Sequence, residues 1–426
     1  MPEVETVNQP RWRTLLGPGF VVAATGVGAG DLIAASVVGR RYGLAVLWIV
    51  VVGALLKWVL NDGIARWQLA TGTTLIEGWS RHLPRCVGWA FLGFLVLWSF
   101  LVAAALASAC GVAARALWPV LPVPAWAAIH SLAGLLLVWF GRYRVFEALM
   151  QWLIAAMFVL VIACAIPLQP DVAGFVRGLV VPSVPAGSAK FLLGVMGGVG
   201  GSVTLLCYGY WIRERGWSGP AAHRRSMLDL GVAYFLSGLF GLAMVVIAAE
   251  AQPADASGHA LVLALSARLG DLLGPVGAGC FLVGFWCAVF SSMLGVWQGV
   301  PYLFADTVKQ FWVLRAVPTA AAIPVTRSLP YRLFLTFLAF PPLVLLYFRS
   351  PLTIVVLYAI AGAFFMPFLA SVLLVMNNRR EWIGALRPAW WSNALLVLSL
   401  VLFAFLFATE VLEMLPGLWQ GNSATG

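Results

Sequence analysis

Gly26-Val27-Gly28-Ala29-Gly30-Asp31 and Gly198-Val199-Gly200-Gly201-Ser202 are near-copies of one glycine-rich run, each set inside a long apolar segment. Glycine loses the most backbone freedom on ordering, roughly 1 kcal/mol per residue relative to alanine in a helix. Three glycines within five positions therefore unwind a helix. Unwound backbone at membrane depth persists only where protein or a water-filled cavity satisfies its N–H and C=O groups. Interrupted apolar segments at corresponding places in two halves of a chain are the sequence mark of a transporter's binding site.

The composition places those runs in a membrane. Hydrophobic residues make up 62% of the 426-residue chain and charged residues 10%, far below the roughly 25% charge of soluble domains. The first residues, Met1 to Trp12, carry Glu3 and Glu5 and no basic n-region, so the first apolar stretch is expected to stay as a helix. A net charge of +10 raises the question of nucleic acid, and the positions of the charges answer it. Most of the 26 lysines and arginines fall in alternate short loops, among them Arg81, Arg85, Arg142, Arg144, Arg213, Arg215, Arg224, Arg225, Arg379 and Arg380. By the positive-inside rule those loops, and the N-terminus, are cytoplasmic. Arg40, Arg41, Arg115, Arg177 and Arg268 fall in the sparser opposite set, with the acids Asp255, Glu410 and Glu413.

Reading for about 20 apolar residues per crossing gives about eleven segments. They run near 15–38, 44–69, 87–117, 125–140, 146–166, 191–212, 227–249, 272–304, 331–348, 352–376 and 390–415. Many tryptophans (Trp48, Trp118, Trp139, Trp382, Trp390, Trp391) fall near span ends, as in an interfacial belt. The stretch Arg213 to Arg225, with Trp217, reads as an interfacial connector. Pairing the two broken spans pairs spans 1–5 with 6–10, and because five is odd the halves have opposite orientation. The expected organisation is a cytoplasmic tail over 1–14, a first inverted repeat over 15–166, a second over 188–376, an added span over 389–415 and a tail over 416–426.

The candidate chemistry sits at the breaks. Asp31 is a carboxylate inside a span, at a cost of about 2.5–3.5 kcal/mol, which marks it as functional. It can also cap the second half-helix. Val27, Gly28, Gly30, Gly200 and Gly201 expose backbone, and Ser202 and Thr204 add hydroxyls, with Tyr208 one turn on as a lining residue. In span 8, Ser291 and Ser292 form a hydroxyl pair suited to a coupling ion such as Na⁺, and Gln298 is a further lining candidate. Asp62 and Arg66 in span 2 are four apart with the acid first, the favourable order for an intrahelical pair; they read as a structural pair or a cytoplasmic gate. Cys86, Cys110, Cys164, Cys207, Cys280 and Cys287 show no CxxC, and the four histidines are scattered, so no thiolate or imidazole metal cluster is read. No GxxxxGK[ST] sequence is present, which removes nucleotide-driven and enzymatic readings. No permanent cofactor, nucleic acid, nucleotide or obligatory protein partner is expected; the bilayer and a small ion or molecule are.

Gly17-Pro18-Gly19-Phe20, the broken span after it, Tyr42-Gly43, Thr71-Gly72, Ser291-Ser292, Gln298 and Pro367-Phe368 resemble the Nramp divalent-metal transporters. The resemblance covers most of the apolar region and is strongest over Gly17 to Gly72. It implies an all-α polytopic membrane protein of LeuT type (APC superfamily), a 5+5 inverted repeat with helices 1 and 6 broken. The metal motifs depart from the family. Gly28-Ala29-Gly30-Asp31 stands where the family has Asp-Pro-Gly-Asn, and Thr204-Leu205-Leu206 where it has Met-Pro-His. A span-10 glutamine falls on Ala359, and the span-3 acids linked to proton coupling are missing. Loss of the thioether moves the preference from Mn²⁺ and Fe²⁺ toward harder ions such as Mg²⁺, so the expected cargo is Mg²⁺ or Mn²⁺, carried by alternating access with weak or no proton coupling. The glycine-rich break is also similar to that of sodium-coupled amino-acid and amine symporters, so a Na⁺-driven organic solute is the second expectation. A channel or non-transporting receptor fits two matched breaks less well. The expected location is a bacterial-type inner membrane.

Overall fold

The computed structural model describes residues 17–141, 143–198, 202–253, 259–313, 325–348 and 351–421; the side chains of Ala29 and Asp31 are among a few that lie outside this description. Every regular element among the described residues is helical. The first broken span forms α1 (Gly19–Gly26) and α2 (Ala29–Tyr42). Then come α3 (Leu47–Thr71), a short α4 (Leu75–His82), α5 (Arg85–Leu117), α6 (Val123–Phe140), α7 (Tyr143–Ala165) and a short α8 (Val172–Val180). The second broken span forms α9 (Ala189–Gly198) and α10 (Cys207–Glu214). It is followed by α11 (His223–Ala251), α12 (His259–Val308), α13 (Leu329–Ala339), α14 (Leu345–Phe348), α15 (Pro351–Asn377), α16 (Arg380–Ile383) and α17 (Trp390–Gly421).

Among the described residues, seven stretches are long and apolar enough to cross a membrane as single helices, or up to eight with the bent pair Arg380–Leu386 and Trp390–Phe405. These coincide with expected spans 2–5, 7–9 and 11. The first stretch, Leu32–Thr71, joins the second half of broken span 1 to span 2; span 6 falls outside the count because it is broken, and span 10 because part of it lies outside the described side chains. Two expectations on extent need correction. The segment ahead of span 8 is helical from His259, and Gly274, at φ 75° and ψ 179°, separates it from the crossing helix. The last helix continues to Gly421. Trp217 also departs from expectation: it is buried rather than interfacial. A Cβ on Gly17 would lie 2.6 Å from its ring, and the Arg225 guanidinium covers that ring at 4.4 Å. The glycine leaves the space that the indole fills.

Three polar ties fix the ends of the helices around the breaks. The first joins α1 to α11. Asp229, buried in α11, accepts hydrogen bonds from Gly17 N (3.0 Å), Gly19 N (2.7 Å) and the Tyr208 hydroxyl (3.0 Å). The Gly19 N–H is an orphan donor at a helix start, Gly17 lies just ahead of that helix, and a carboxylate there also meets the positive end of the helix dipole. The second tie is the Asp62–Arg66 pair at 2.6 Å, which reaches beyond α3. His223 Nε2 lies 2.8 Å from Asp62, and Arg66 donates to the carbonyl of Leu386 at 3.0 Å. The third joins α4, α10 and α12: Thr74 and Tyr210 each donate a hydroxyl to Asp306 at 2.7 Å, while Thr74 caps α4 by accepting from Glu77 N. Burial, and then the Asp306 carboxylate, push Glu77 above the ordinary carboxylate range, and Arg213 offsets this in part.

Two outcomes are expected. Asp229→Ala leaves buried backbone donors without an acceptor and should cost about 3 kcal/mol, read as a lowered thermal midpoint in detergent; Tyr208→Phe, which spares both backbone bonds, should cost less. Glu77 holds its proton to higher pH in the fold than in the unfolded chain. Its contribution to stability is therefore full below the ordinary carboxylate range and lost as pH rises through the raised folded value. Glu77→Gln should flatten that part of a thermal-midpoint profile measured from pH ~4 to ~8.

Candidate functional site

The first break is two residues long. Val27, with extended backbone (φ −94°, ψ 94°), closes α1 through its N–H to Ala23 O at 3.1 Å. The next helix begins with Leu32 N bonded to Gly28 O at 3.2 Å. A helix ending here strands its last carbonyls, and α12 takes two of them. Ser291 Oγ donates to Ala24 O at 3.1 Å and Ser292 Oγ donates to Thr25 O at 2.8 Å. Both serines are buried. The approach is close because Gly295, one turn along α12, has no side chain: a Cβ there would collide with Thr25.

This geometry gives Ser291 and Ser292 a use in holding the break closed from the side. The Ser292 hydroxyl gives its hydrogen to Thr25 O, while the single hydrogen of Ser291 is shared between Ala24 O at 3.1 Å and Ala288 O of its own helix at 3.0 Å. The same packing bears on Gly28. A Cβ built on it would lie 2.7 Å from Ser292 Oγ and 3.4 Å from Leu106 Cδ2. The position is thus closed off by α12 and α5 as well as stripped of a carboxylate.

Of the other expected site residues, Val27, Gly28 and Gly30 are buried at the first break. The Asp31 side chain, Gly200 and Gly201 lie outside the described residues. Ser202, at φ −128° and ψ −96°, leads into a tight turn over Val203–Leu206 that carries buried Thr204, and α10 starts directly after it. Tyr208 is committed to Asp229 and Ser226 (3.0 and 3.1 Å) and faces away from an open lining role. Gln298 accepts from Trp211 Nε1 at 2.7 Å and borders a cavity of about 340 Å³ with Tyr143, Glu214, Tyr331 and Arg332. Asp62 and Arg66 belong to the tie described above, away from the serines.

Sequence reasoning passed over Asp229, Asp306 and Trp98. The two acids carried the same signal as Asp31, a carboxylate within or at the end of an apolar helix. Trp98 carried none. Its indole N–H is buried and without an acceptor among the described residues, and α15 packs near both it and Ser202 at Gly362, where a Cβ would lie 2.9 Å from Ser202 Oγ and 3.5 Å from Trp98 Nε1. Among the described residues no group of three or more His, Cys, Asp or Glu side chains could hold a metal ion. Around the breaks the described polar groups are carbonyls, hydroxyls and one indole.

Restoring a carboxylate at position 28 should therefore fail to rebuild a site. Gly28→Asp must displace Ser292, at about 1–3 kcal/mol of overpacking cost, seen as a lowered thermal midpoint. Adding Ser292→Ala should make the double variant less destabilised than the two single losses combined, a coupling expected for groups in contact.

The chain matches the family model described as natural resistance-associated macrophage protein-like over residues 19–413. It is 24% identical over 402 residues to the divalent metal cation transporter MntH of Bacillus subtilis (strain 168), covering 92% of this chain and 90% of that one. A crystal structure of a point mutant of the Eremococcus coleocola manganese transporter superposes with a TM-score of 0.73 at 17% identity, over 98% of this chain and 90% of that one. Mhp1, a nucleobase-cation-symport-1 family transporter in a closed conformation with bromovinylhydantoin bound, gives 0.57 at 14% identity, over 96% and 93%. These two likenesses establish the LeuT-type architecture with its pair of broken helices. The match over nearly the whole apolar region places the chain in the Nramp family.

Proposed function

We propose that this protein is a secondary transporter that carries a divalent cation by alternating access, with the cation bound between the two breaks. Asp31 is the charged ligand, backbone carbonyls of the first break lie beside it, and Thr204 stands opposite. The observation that supports this reading is the donor set. Two broken helices meet α12 in a family whose named relatives include divalent metal transporters, yet the residues at the breaks offer oxygen where the family pattern offers a thioether.

Softness then decides the cargo. A thioether favours softer metals, and oxygen ligands suit harder ions, Mg²⁺, Ca²⁺ and Mn²⁺ among them. Mg²⁺ dehydrates reluctantly and is often bound through one or two carboxylates with several waters retained. One aspartate and a few carbonyls suit that ion better than a dehydrated Mn²⁺. Proton coupling is expected to be weak or absent, because α5 carries no acid over Phe91 to Ala114. The organic-solute reading is not favoured, because the chain's relatives are named as divalent metal transporters. The loop charges support an inner-membrane orientation with the N-terminus in the cytoplasm.

Purified protein should release or absorb heat on titration with Mg²⁺, and Asp31→Ala should abolish the signal. No heat from any divalent ion would overturn the reading. In proteoliposomes, Mg²⁺ uptake should proceed without an imposed Na⁺ or pH gradient, and an internal pH dye should stay flat; acidification in step with uptake would contradict the uncoupled mechanism.

A further inference from the structure

We propose that the cavity beside Gln298 binds the headgroup of an amine-bearing phospholipid, with the phosphate held by Arg327 and Arg332 and the ammonium by Glu214. None of its residues belongs to either break, so the site stands apart from the cation reading. The cavity, of about 340 Å³, is bounded by the end of α6, the start of α7, the end of α10 and the start of α13, with Gln298 of α12 in its wall. That volume falls in the range of small-ligand pockets, about 300–1,000 Å³.

The charges choose the guest. Two guanidiniums, Arg327 and Arg332, and one carboxylate, Glu214, line the cavity. Among the described residues neither arginine is in an ion pair. Arg332 lies over the Trp139 ring at 5.3 Å, a stacking contact that orients the guanidinium while its edges stay open to an anion. Glu214 accepts from the Tyr302 hydroxyl through one carboxylate oxygen, which leaves the other. The neighbouring charges cancel each other, since Arg215 donates to Glu147 of α7 at 2.9 Å. The Tyr143 hydroxyl, also in the lining, is buried with no hydrogen-bond partner among the described residues, and such a group calls for one. A wholly anionic guest would meet Glu214, and a wholly cationic one the two arginines. A phosphate joined to an ammonium satisfies both, with Tyr143 as a further donor to a phosphate oxygen.

The surroundings make that guest a lipid. Phe140, Leu329 and Leu333 flank the lining residues in the chain, and all three are exposed. Trp139 stands at the end of α6, as interfacial tryptophans do, on the side that the loop arginines assign to the cytoplasm. Basic pockets between crossing helices on that side are suited to phospholipid headgroups. In an aminophospholipid the phosphate lies between the acyl chains and the amine. The chains then run over Phe140 and Leu333, the phosphate meets the arginines at the mouth, and the amine reaches on to Glu214.

Delipidated protein in detergent, titrated with short-chain phosphatidylethanolamine, phosphatidylcholine and phosphatidylglycerol and read by native mass spectrometry, tests this. Phosphatidylethanolamine should bind at least about fivefold more tightly than either of the others, the scale of one hydrogen bond. Phosphatidylcholine keeps the phosphate but its ammonium has no N–H, and phosphatidylglycerol has no cation. Arg327→Gln combined with Arg332→Gln should weaken phosphatidylethanolamine about tenfold or more, as expected for charged hydrogen bonds; both side chains are exposed, so the fold should tolerate the change. Tyr143→Phe should weaken it about fivefold, and Glu214→Gln should bring it down to the level of phosphatidylcholine. Equal affinity for the three lipids, or unchanged binding in the double arginine variant, would overturn the proposal. Soluble phosphoethanolamine binding as tightly as the lipid would overturn the lipid assignment. If Glu214→Gln fails to fold, the three-lipid comparison on the wild-type protein decides the role of the amine.

Discussion

Hydroxyl-to-carbonyl hydrogen bonds from α12, Ser292 to Thr25 and Ser291 shared between Ala24 and its own Ala288, allow the first broken helix to exist inside an apolar bundle. A helix that stops at membrane depth leaves carbonyls with no water to solvate them, at several kcal/mol apiece. The protein satisfies two of them from α12, and it can do so because Gly295 and Gly28 let the helices approach to hydroxyl range. Everything nearby follows from that contact. Gly28 is walled in, Thr25 is pressed toward α12, and the non-helical backbone of the break is confined to Val27 and Gly28. Asp229 completes the arrangement from the other end by gathering the first N–H groups of α1. The half-helix is thereby held at both termini by partners from the second repeat, α11 and α12.

That construction bears on the chemistry. Where the family pattern places a metal-binding aspartate, this chain has made a packing contact between spans 1 and 8. A carboxylate cannot be reintroduced there without parting them. The remaining acid, Asp31, lies one turn further on, past the break, and the second break contributes hydroxyls and backbone. In the proposed reading the electrostatic consequence is a weaker, more hydrated site, since a dication beside one carboxylate keeps much of its own water.

Much of the architecture is legible in the chain itself. The two glycine runs locate both breaks, because glycine's effect on a helix is local and large. The crossing helices follow from hydrophobic length, and the opposite orientation of the two halves from an odd number of spans. What is not legible depends on contacts between distant residues. Ser291 and Ser292 are visible as a hydroxyl pair, but their acceptors lie more than two hundred residues away in sequence. Trp217 reads as interfacial because tryptophan commonly is, and its burial depends on the absence of a side chain at Gly17. Tyr208 reads as lining because it follows the second break by one turn; Asp229, on a different helix, claims it. Asp229 and Asp306 are within reach of the rule applied to Asp31. Trp98 is not, because nothing local distinguishes a tryptophan that lacks an acceptor from one that has found it.

The central claim is that the cation sits between the two breaks with Asp31 as its one charged ligand. Crystals soaked in Mn²⁺, with anomalous differences recorded at the manganese edge, test it most directly. The expected result is a peak beside the Asp31 carboxylate, between the Val27–Gly28 backbone and Thr204, that disappears in Asp31→Ala. A peak elsewhere, for example at Asp306 and Glu77 with none between the breaks, would contradict it.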